Sequence, residues 1–358
     1  SSFEKVLSLE KFFLYKIKKD EKYLLNSDLA LLLSTSGSTG NKKFVRVSYE
    51  NLENNIKNIC KYLEIKKNHR TVTTMQPNYT YGLSIINTHL YSGASILVTE
   101  AKIIEKHFWE LMKKFKINSF GGVPYFYEIV KKINFSNIKL PDLKYITQAG
   151  GALDEDLTKY LIEYSEKNKT KFIIMYGQAE ATSRMTYLPF KNLKSKIGSV
   201  GIPIPGGKIL FNNNKSKKNK KNEIIYSGKN VCMGYAKNYK DLKKKDENLG
   251  KLYTGDLGRI DQDGYLYITG TKSRSIKVFG HRLNLDDIEN LLKNKGYNCL
   301  CKGSKNEVII YFTDKRYDKK LLKYISEITN INLNYFKMKN IKEIPKNESG
   351  KILYAELD

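Results

Sequence analysis

From residue 29 to residue 175, short apolar runs alternate with stretches of helical periodicity, an order that a parallel α/β sheet satisfies and few other architectures do. Residues 29–34 form an apolar run that ends in a Ser/Thr/Gly loop. Residues 48–62 then place Leu52, Ile56 and Ile59, with Leu63 beyond, near the helical repeat. The same alternation predicts strands at 95–98, 119–123, 144–147 and 172–175, and helices at 107–115, 125–132 and 157–168. From about Gly198 the pattern changes to short strands divided by Gly206-Gly207, Ser227-Gly228 and Asp263-Gly264, which predicts an antiparallel section. A third segment begins near Thr271, with strands at 276–279 and 308–312 and helices at 286–293 and 319–328.

The chain has 358 residues, 41% hydrophobic and 28% charged, enough to bury a large core and a smaller second one and too apolar for wholesale disorder. Lys and Arg number 63 against 37 Asp and Glu, a formal net charge of +26. These lysines are spread along the chain among Asn, Ile and Tyr rather than concentrated on one element beside aromatics, which argues against a nucleic-acid binder. The densest run, residues 215–221, falls between strand-like stretches at 208–211 and 223–226 and reads as a solvated hairpin tip. Cys60, Cys232, Cys299 and Cys301 form neither a disulfide framework nor a paired zinc spacing, so reduced thiols in the cytoplasm are expected. The longest apolar runs fall far short of a bilayer span, and no secretory leader is expected.

Chemistry concentrates first in Thr35, Ser36, Gly37, Ser38, Thr39 and Gly40, followed by Lys42 and Lys43. Glycines admit a polyphosphate close to the backbone, hydroxyls and amides donate to its oxygens, and lysine adds charge. The spacing is not that of a Walker A loop, and alone such a stretch also serves as an ordinary connector. Its company decides. Tyr176-Gly177-Gln178-Ala179-Glu180, Tyr253-Thr254-Gly255-Asp256, Lys277-Val278-Phe279-Gly280-His281-Arg282 and Pro345-Lys346-Asn347-Glu348-Ser349-Gly350-Lys351 follow in order. With the loop, these resemble the ordered motifs of the acyl-adenylate-forming superfamily: acyl-CoA synthetases, peptide-synthetase adenylation domains and firefly luciferase. The resemblance covers nearly the whole chain. Departures are Lys42 and Phe44 in the loop motif, and Gly270-Thr271-Lys272-Ser273 where the family has G-R-x-D, with Lys272 and Arg274 nearby as replacement charge. Another is the short stretch ahead of Thr35, where the family has a longer segment.

The resemblance implies an α/β fold. A large domain of mixed, mainly parallel sheets with packed helices and an antiparallel section spans 1–271, and a small mobile α/β domain carrying Lys351 spans 272–358. It implies an ATP- and Mg²⁺-dependent ligase that converts a carboxylic acid to acyl-AMP and pyrophosphate. The acyl group then passes to a thiol, that of CoA or of the phosphopantetheine arm of a separate carrier protein. Residues 35–40 and Lys43 would hold the departing pyrophosphate, Glu180 the Mg²⁺, Asp256 the ribose hydroxyls, and Tyr176, with Gly177 and Gln178, the adenine side. Gly150, Gly151 and Ala152 would run along the adenine and acyl pocket, and Lys351 would bridge carboxylate and α-phosphate. After adenylation, the side carrying Lys277 would face the thiol. Tyr79, Tyr81, Gly82 and Gly122 would line the acyl pocket, and Gly82 stands where domains for α-amino acids place an aspartate. The alternative is a catalytically silent scaffold that keeps the nucleotide-binding fold.

Overall fold

The computed structural model describes residues 3–9, 12–17, 23–34, 43–211, 222–278, 281–304, 307–313, 319–329, 331–347, 350 and 352–357. A seven-stranded sheet forms its centre, in the order Ile202–Pro203, Thr186–Leu188, Lys171–Tyr176, Tyr145–Gln148, Ser119–Gly122, Arg70–Val72 and Ser95–Leu97. The last five run parallel; Thr186–Leu188 pairs antiparallel with Lys171–Tyr176, and Ile202–Pro203 antiparallel with Thr186–Leu188 in turn. Of the apolar runs read as strands, those at 119–122, 145–148 and 171–176 lie side by side, and Arg70–Val72 separates them from Ser95–Leu97. Their crossover helices, Lys106–Lys114, Pro124–Lys132 and Glu155–Lys167, bury Phe108, Trp109, Met112, Tyr127, Leu161 and neighbours against Phe120, Ile146 and Phe172 of the sheet. Parallel strands in the middle of a sheet are covered on both faces, which is why they read as continuous apolar runs.

The first strand departs from expectation. Leu29–Ser34 is no part of the parallel sheet: it pairs antiparallel with Phe44–Ser48, which pairs in turn with Tyr235–Ala236. Residues 35–42 therefore join two antiparallel strands instead of leading from strand to helix. Phe44–Ser48 escapes a hydropathy reading because its central residue is Arg46, which is fully buried. The Arg46 guanidinium donates to the carbonyls of Met233 at 2.8 Å and Lys244 at 2.6 Å and pairs with Glu247 at 2.6 Å. Helix Tyr49–Leu63 starts one residue later, with Ser48 and Asn51 closing a reciprocal capping box. Strand Arg70–Val72 and helix Thr80–Tyr91 also have no counterpart in the expectation. Three residues are too few to show a period, and the helix opens on the polar Tyr79–Tyr81 stretch.

Beyond the central sheet, Lys208–Phe211, Asn222–Ser227, Lys251–Ile260 and Leu266–Thr271 make the expected antiparallel sheet. Its lysine-rich tip at 215–221 lies outside the described residues. The chain then builds a second core from hairpin Ser275–Val278/His281–Asn284, helices Leu285–Asn294 and Lys319–Thr329, and the sheet Cys299–Ser304, Glu307–Phe312, Phe336–Asn340. Leu285, Ile288, Leu292, Ile310, Phe312 and Ile325 meet there, with Cys299 and Cys301 on the same buried face. No described helix is long and apolar enough to cross a membrane.

Candidate active site

The site gathers at the carboxyl ends of the parallel strands, the edge where open α/β sheets place ligands. Strand Lys171–Tyr176 ends in a turn that only glycine permits, because a Cβ on Gly177 would lie 1.9 Å from the Ser183 carbonyl oxygen. That turn aims Tyr176 and Gln178 at the antiparallel sheet. Tyr176 Oη donates to Asp256 Oδ2 at 2.5 Å, and Gln178 Nε2 donates to the same oxygen at 2.9 Å and to the Thr254 carbonyl at 3.0 Å. Burial, and after it the Asp256 charge, pushes the Tyr176 phenol far above its usual range, so it stays a donor. Thr254 Oγ1 donates to the Ile224 carbonyl at 2.8 Å and accepts from the Asp256 amide at 3.1 Å, which fixes the backbone below the carboxylate.

Glu180 follows in the same loop. Its carbonyl accepts from the Cys232 amide at 2.8 Å, and its Oε1 accepts from Tyr235 Oη at 2.8 Å. Lys43 Nζ sits 3.8 Å from the centroid of the Tyr235 ring. One tyrosine thus joins the only described lysine of the phosphate-loop motif to the carboxylate expected to hold Mg²⁺. A single carboxylate suits Mg²⁺, which keeps waters and takes substrate phosphates as further ligands. Among the described residues no cluster of three or more His, Cys, Asp or Glu offers a protein-only cage. Thr35, Ser36, Gly37, Ser38, Thr39 and Gly40 lie outside the described residues.

On the other side of the strand ends, Gly150 adopts φ +86° and packs so close to Tyr79 that a Cβ would stand 2.5 Å from the phenol oxygen. Gln148 Nε2 ties the loop by donating to the Gly151 carbonyl at 2.9 Å, with Ala152 next in the chain. Tyr81 Oη shares a 2.7 Å hydrogen bond with Thr147 Oγ1 in the middle of the sheet. Gly82 instead faces backbone, where a Cβ would meet the Gln76 carbonyl oxygen at 2.4 Å, and one on Gly122 would meet Phe126 at 2.4 Å. These two glycines let a helix and an aromatic ring close in.

Lys351 lies outside the described residues, and of Lys277 only the backbone is described, paired with Arg282. The neighbours of Lys351 are placed. Lys346 and Ile352 bridge, Lys346 Nζ is 3.6 Å from Glu128, and a Cβ on Gly350 would lie 2.4 Å from Tyr125 Cβ. The ends of this turn therefore rest on helix Pro124–Lys132, which starts two residues after Gly122. The replacement charges go elsewhere: Lys272 pairs with Glu223 at 3.0 Å, and Arg274 engages Asp286, Glu289 and, at 3.6 Å, the Tyr354 ring. Sequence reasoning passed over Tyr235 and Arg184, which have no motif of their own. Arg184's position four residues after Glu180 was the available signal.

The AMP-binding enzyme family matches residues 4–236. Oxalate–CoA ligase of Arabidopsis thaliana is 28% identical over 273 residues, 74% of this chain and 52% of that protein. 2-Succinylbenzoate–CoA ligase of Oceanobacillus iheyensis is 27% identical over 284 residues, 78% and 58% of the two chains. The chain thus spans little more than half the length of these curated relatives. The structure of O-succinylbenzoate Coenzyme A synthetase (MenE) from Bacillus subtilis with ATP and magnesium ion superposes with a TM-score of 0.73 at 19% identity, covering 96% of this chain and 73% of that one. On the family match over most of its length, together with this shared fold, the chain belongs to the AMP-binding enzyme family.

Proposed function

We propose that the protein activates a carboxylic acid with ATP, forming acyl-AMP and releasing pyrophosphate, and then transfers the acyl group to a thiol. The observation that carries this reading is the Asp256 carboxylate, held by Tyr176 and Gln178 beside the Glu180–Tyr235–Lys43 group. Two donors on one oxygen orient Asp256 so that it accepts from ribose hydroxyls. Lys43 and residues 35–40 take the pyrophosphate charge, and Lys351 bridges the attacking carboxylate oxygen and the α-phosphate, a placement that lowers the barrier by position and charge. Glu180 would hold Mg²⁺, which neutralises phosphate charge when bound. The acid's oxygen bonds to the α-phosphorus as the bond to pyrophosphate breaks. In the second step a thiol sulfur attacks the acyl carbon and AMP leaves. The MenE neighbour's ATP and magnesium and the relatives' CoA chemistry support this sequence.

The thiol belongs to CoA or to a carrier protein's phosphopantetheine arm, and the net charge of +26 favours such anionic partners through steering. We place the domain boundary at 271/272, directly after Thr271, whose amide donates across it to the Asp286 carboxylate at 2.7 Å. Four free thiols fit a reducing cytoplasm. The test is ATP/pyrophosphate exchange over fatty, hydroxy, aryl, amino and dicarboxylic acids. Exchange with one class, abolished in Lys351→Ala and without Mg²⁺, is expected. ATP binding in a calorimeter with no exchange for any acid would overturn the reading in favour of a silent scaffold.

A further inference from the structure

The loop that carries Glu180 also buries a cation that the reaction above does not use. Arg184 is 3% exposed. Its Nη1 donates to the carbonyl of Ser183 at 3.0 Å and to the hydroxyl of the same residue, and its Nη2 donates to Ser84 Oγ at 3.2 Å. Its Nε faces Met175 Sδ at 3.4 Å, and the guanidinium lies 4.1 Å from the centroid of the Tyr81 ring. Every one of these partners is neutral, and no carboxylate among the described residues forms an ion pair with it. A guanidinium stays charged at any working pH, and a buried charge without a counter-ion is strongly unfavourable.

Arg184 lines a small cavity of about 20 Å³, bordered also by Tyr81, Ser84, His89, Gly121 and Thr147. The cavity borders Tyr81, one of the residues expected in the acyl pocket, and Gly121, the neighbour of another, Gly122. Among the described residues no acidic side chain lines it. Burial holds the His89 imidazole at about 4, hence neutral, and pushes the Tyr81 phenol up to about 12. The wall therefore carries one charge, positive. That sign repels the ammonium of an α-amino acid, and Gly82 has no room for the aspartate that would attract one, since even a Cβ would meet the Gln76 carbonyl. A space of this size takes about one water, and with Nη1 and Nε already donating, a carboxylate oxygen in the water's place would accept the second Nη2 hydrogen beside Ser84.

We infer that Arg184 is the subsite for a second carboxylate on the substrate, so that the protein activates a short dicarboxylic acid, one carboxylate reacting with ATP and the other pairing with Arg184. This rests on the adenylation reading and specifies its substrate class. The experiment pairs malonate, succinate and glutarate with propionate, butyrate and valerate, measuring both calorimetric binding to the AMP-loaded chain and ATP/pyrophosphate exchange. Diacids are expected to bind about ten- to a hundredfold more tightly than their monoacid partners. Arg184→Met should erase that ratio by weakening diacid binding, and Arg184→Lys, which keeps the charge if the first variant does not fold, should retain part of it. Exchange with monoacids in preference to diacids overturns the inference and leaves adenylation standing. Selective diacid binding that depends on Arg184, with no exchange for any acid, keeps the subsite and overturns the catalytic reading. Equal loss of both acid types in Arg184→Met and Arg184→Lys, alongside a lowered melting temperature, assigns Arg184 to packing on Tyr81 and overturns the subsite.

Discussion

At the scale of single residues, the site depends on how one carboxylate oxygen is held. Asp256 Oδ2 accepts from both Tyr176 and Gln178, and hydrogen bonds to a charged acceptor are worth more than neutral ones. Tyr176→Phe removes the shorter bond and leaves the ring's packing in place. The expected result is a rise of about tenfold or more in KM for ATP with a smaller change in kcat, read from steady-state exchange kinetics. An unchanged KM would mean that Asp256 does not meet the nucleotide. The motif letters mark Tyr176, Gln178 and Asp256 as separate candidates. That the first two converge on one oxygen of the third, 80 and 78 residues away in sequence, is a tertiary fact.

At the scale of elements, helix Thr80–Tyr91 presses its polar side into the core. His89 is 2% exposed, donates from Nδ1 to the Ile85 carbonyl at 2.8 Å, and is held by burial at about 4 against an ordinary 6.5. The unfolded chain therefore binds a proton more readily than the native one. Stability from this group is fully present above about pH 6.5, is lost as pH falls towards 4, and amounts to about 3 kcal/mol across that window. Thermal melts should fall through that range in the native protein and stay flatter in His89→Gln. The same helix eluded a hydropathy reading because Ser84, Thr88 and His89 are buried and polar, which blurs the amphipathic stripe. Strand Phe44–Ser48 eluded it through Arg46, whose charge is satisfied by carbonyls about 190 residues away, such as that of Met233.

For the whole molecule, the described residues join the second core to the first through polar pairs as well as close packing. Lys293 pairs with Asp154 at 2.9 Å and Lys346 with Glu128 at 3.6 Å, partly exposed pairs worth about 0–1 kcal/mol each. A close contact beside Lys351 is Gly350 against Tyr125, at φ +77°. Gly350→Val puts a β-branched side chain where neither backbone nor neighbour admits one, and should lift the turn next to Lys351 off the core. Exchange should drop about a hundredfold while AMP affinity is unchanged, because misplacing a reacting group costs rate more than nucleotide binding. If exchange persists at the native rate, Lys351 acts from another arrangement.

By itself, the sequence determined the alternating α/β architecture, the antiparallel section after Gly198 and the order of the site motifs, because hydrophobic period and glycine placement are local properties of the chain. The structure decided which strand pairs with which, so that Leu29–Ser34 left the parallel sheet for Phe44–Ser48. It also decided which charges are buried. Arg184 reads as one more cation among 63 until Ser84, 100 residues earlier, and the Tyr81 ring close over it. Burial of a charge is a sum over neighbours brought together by the fold, and no window of sequence contains that sum.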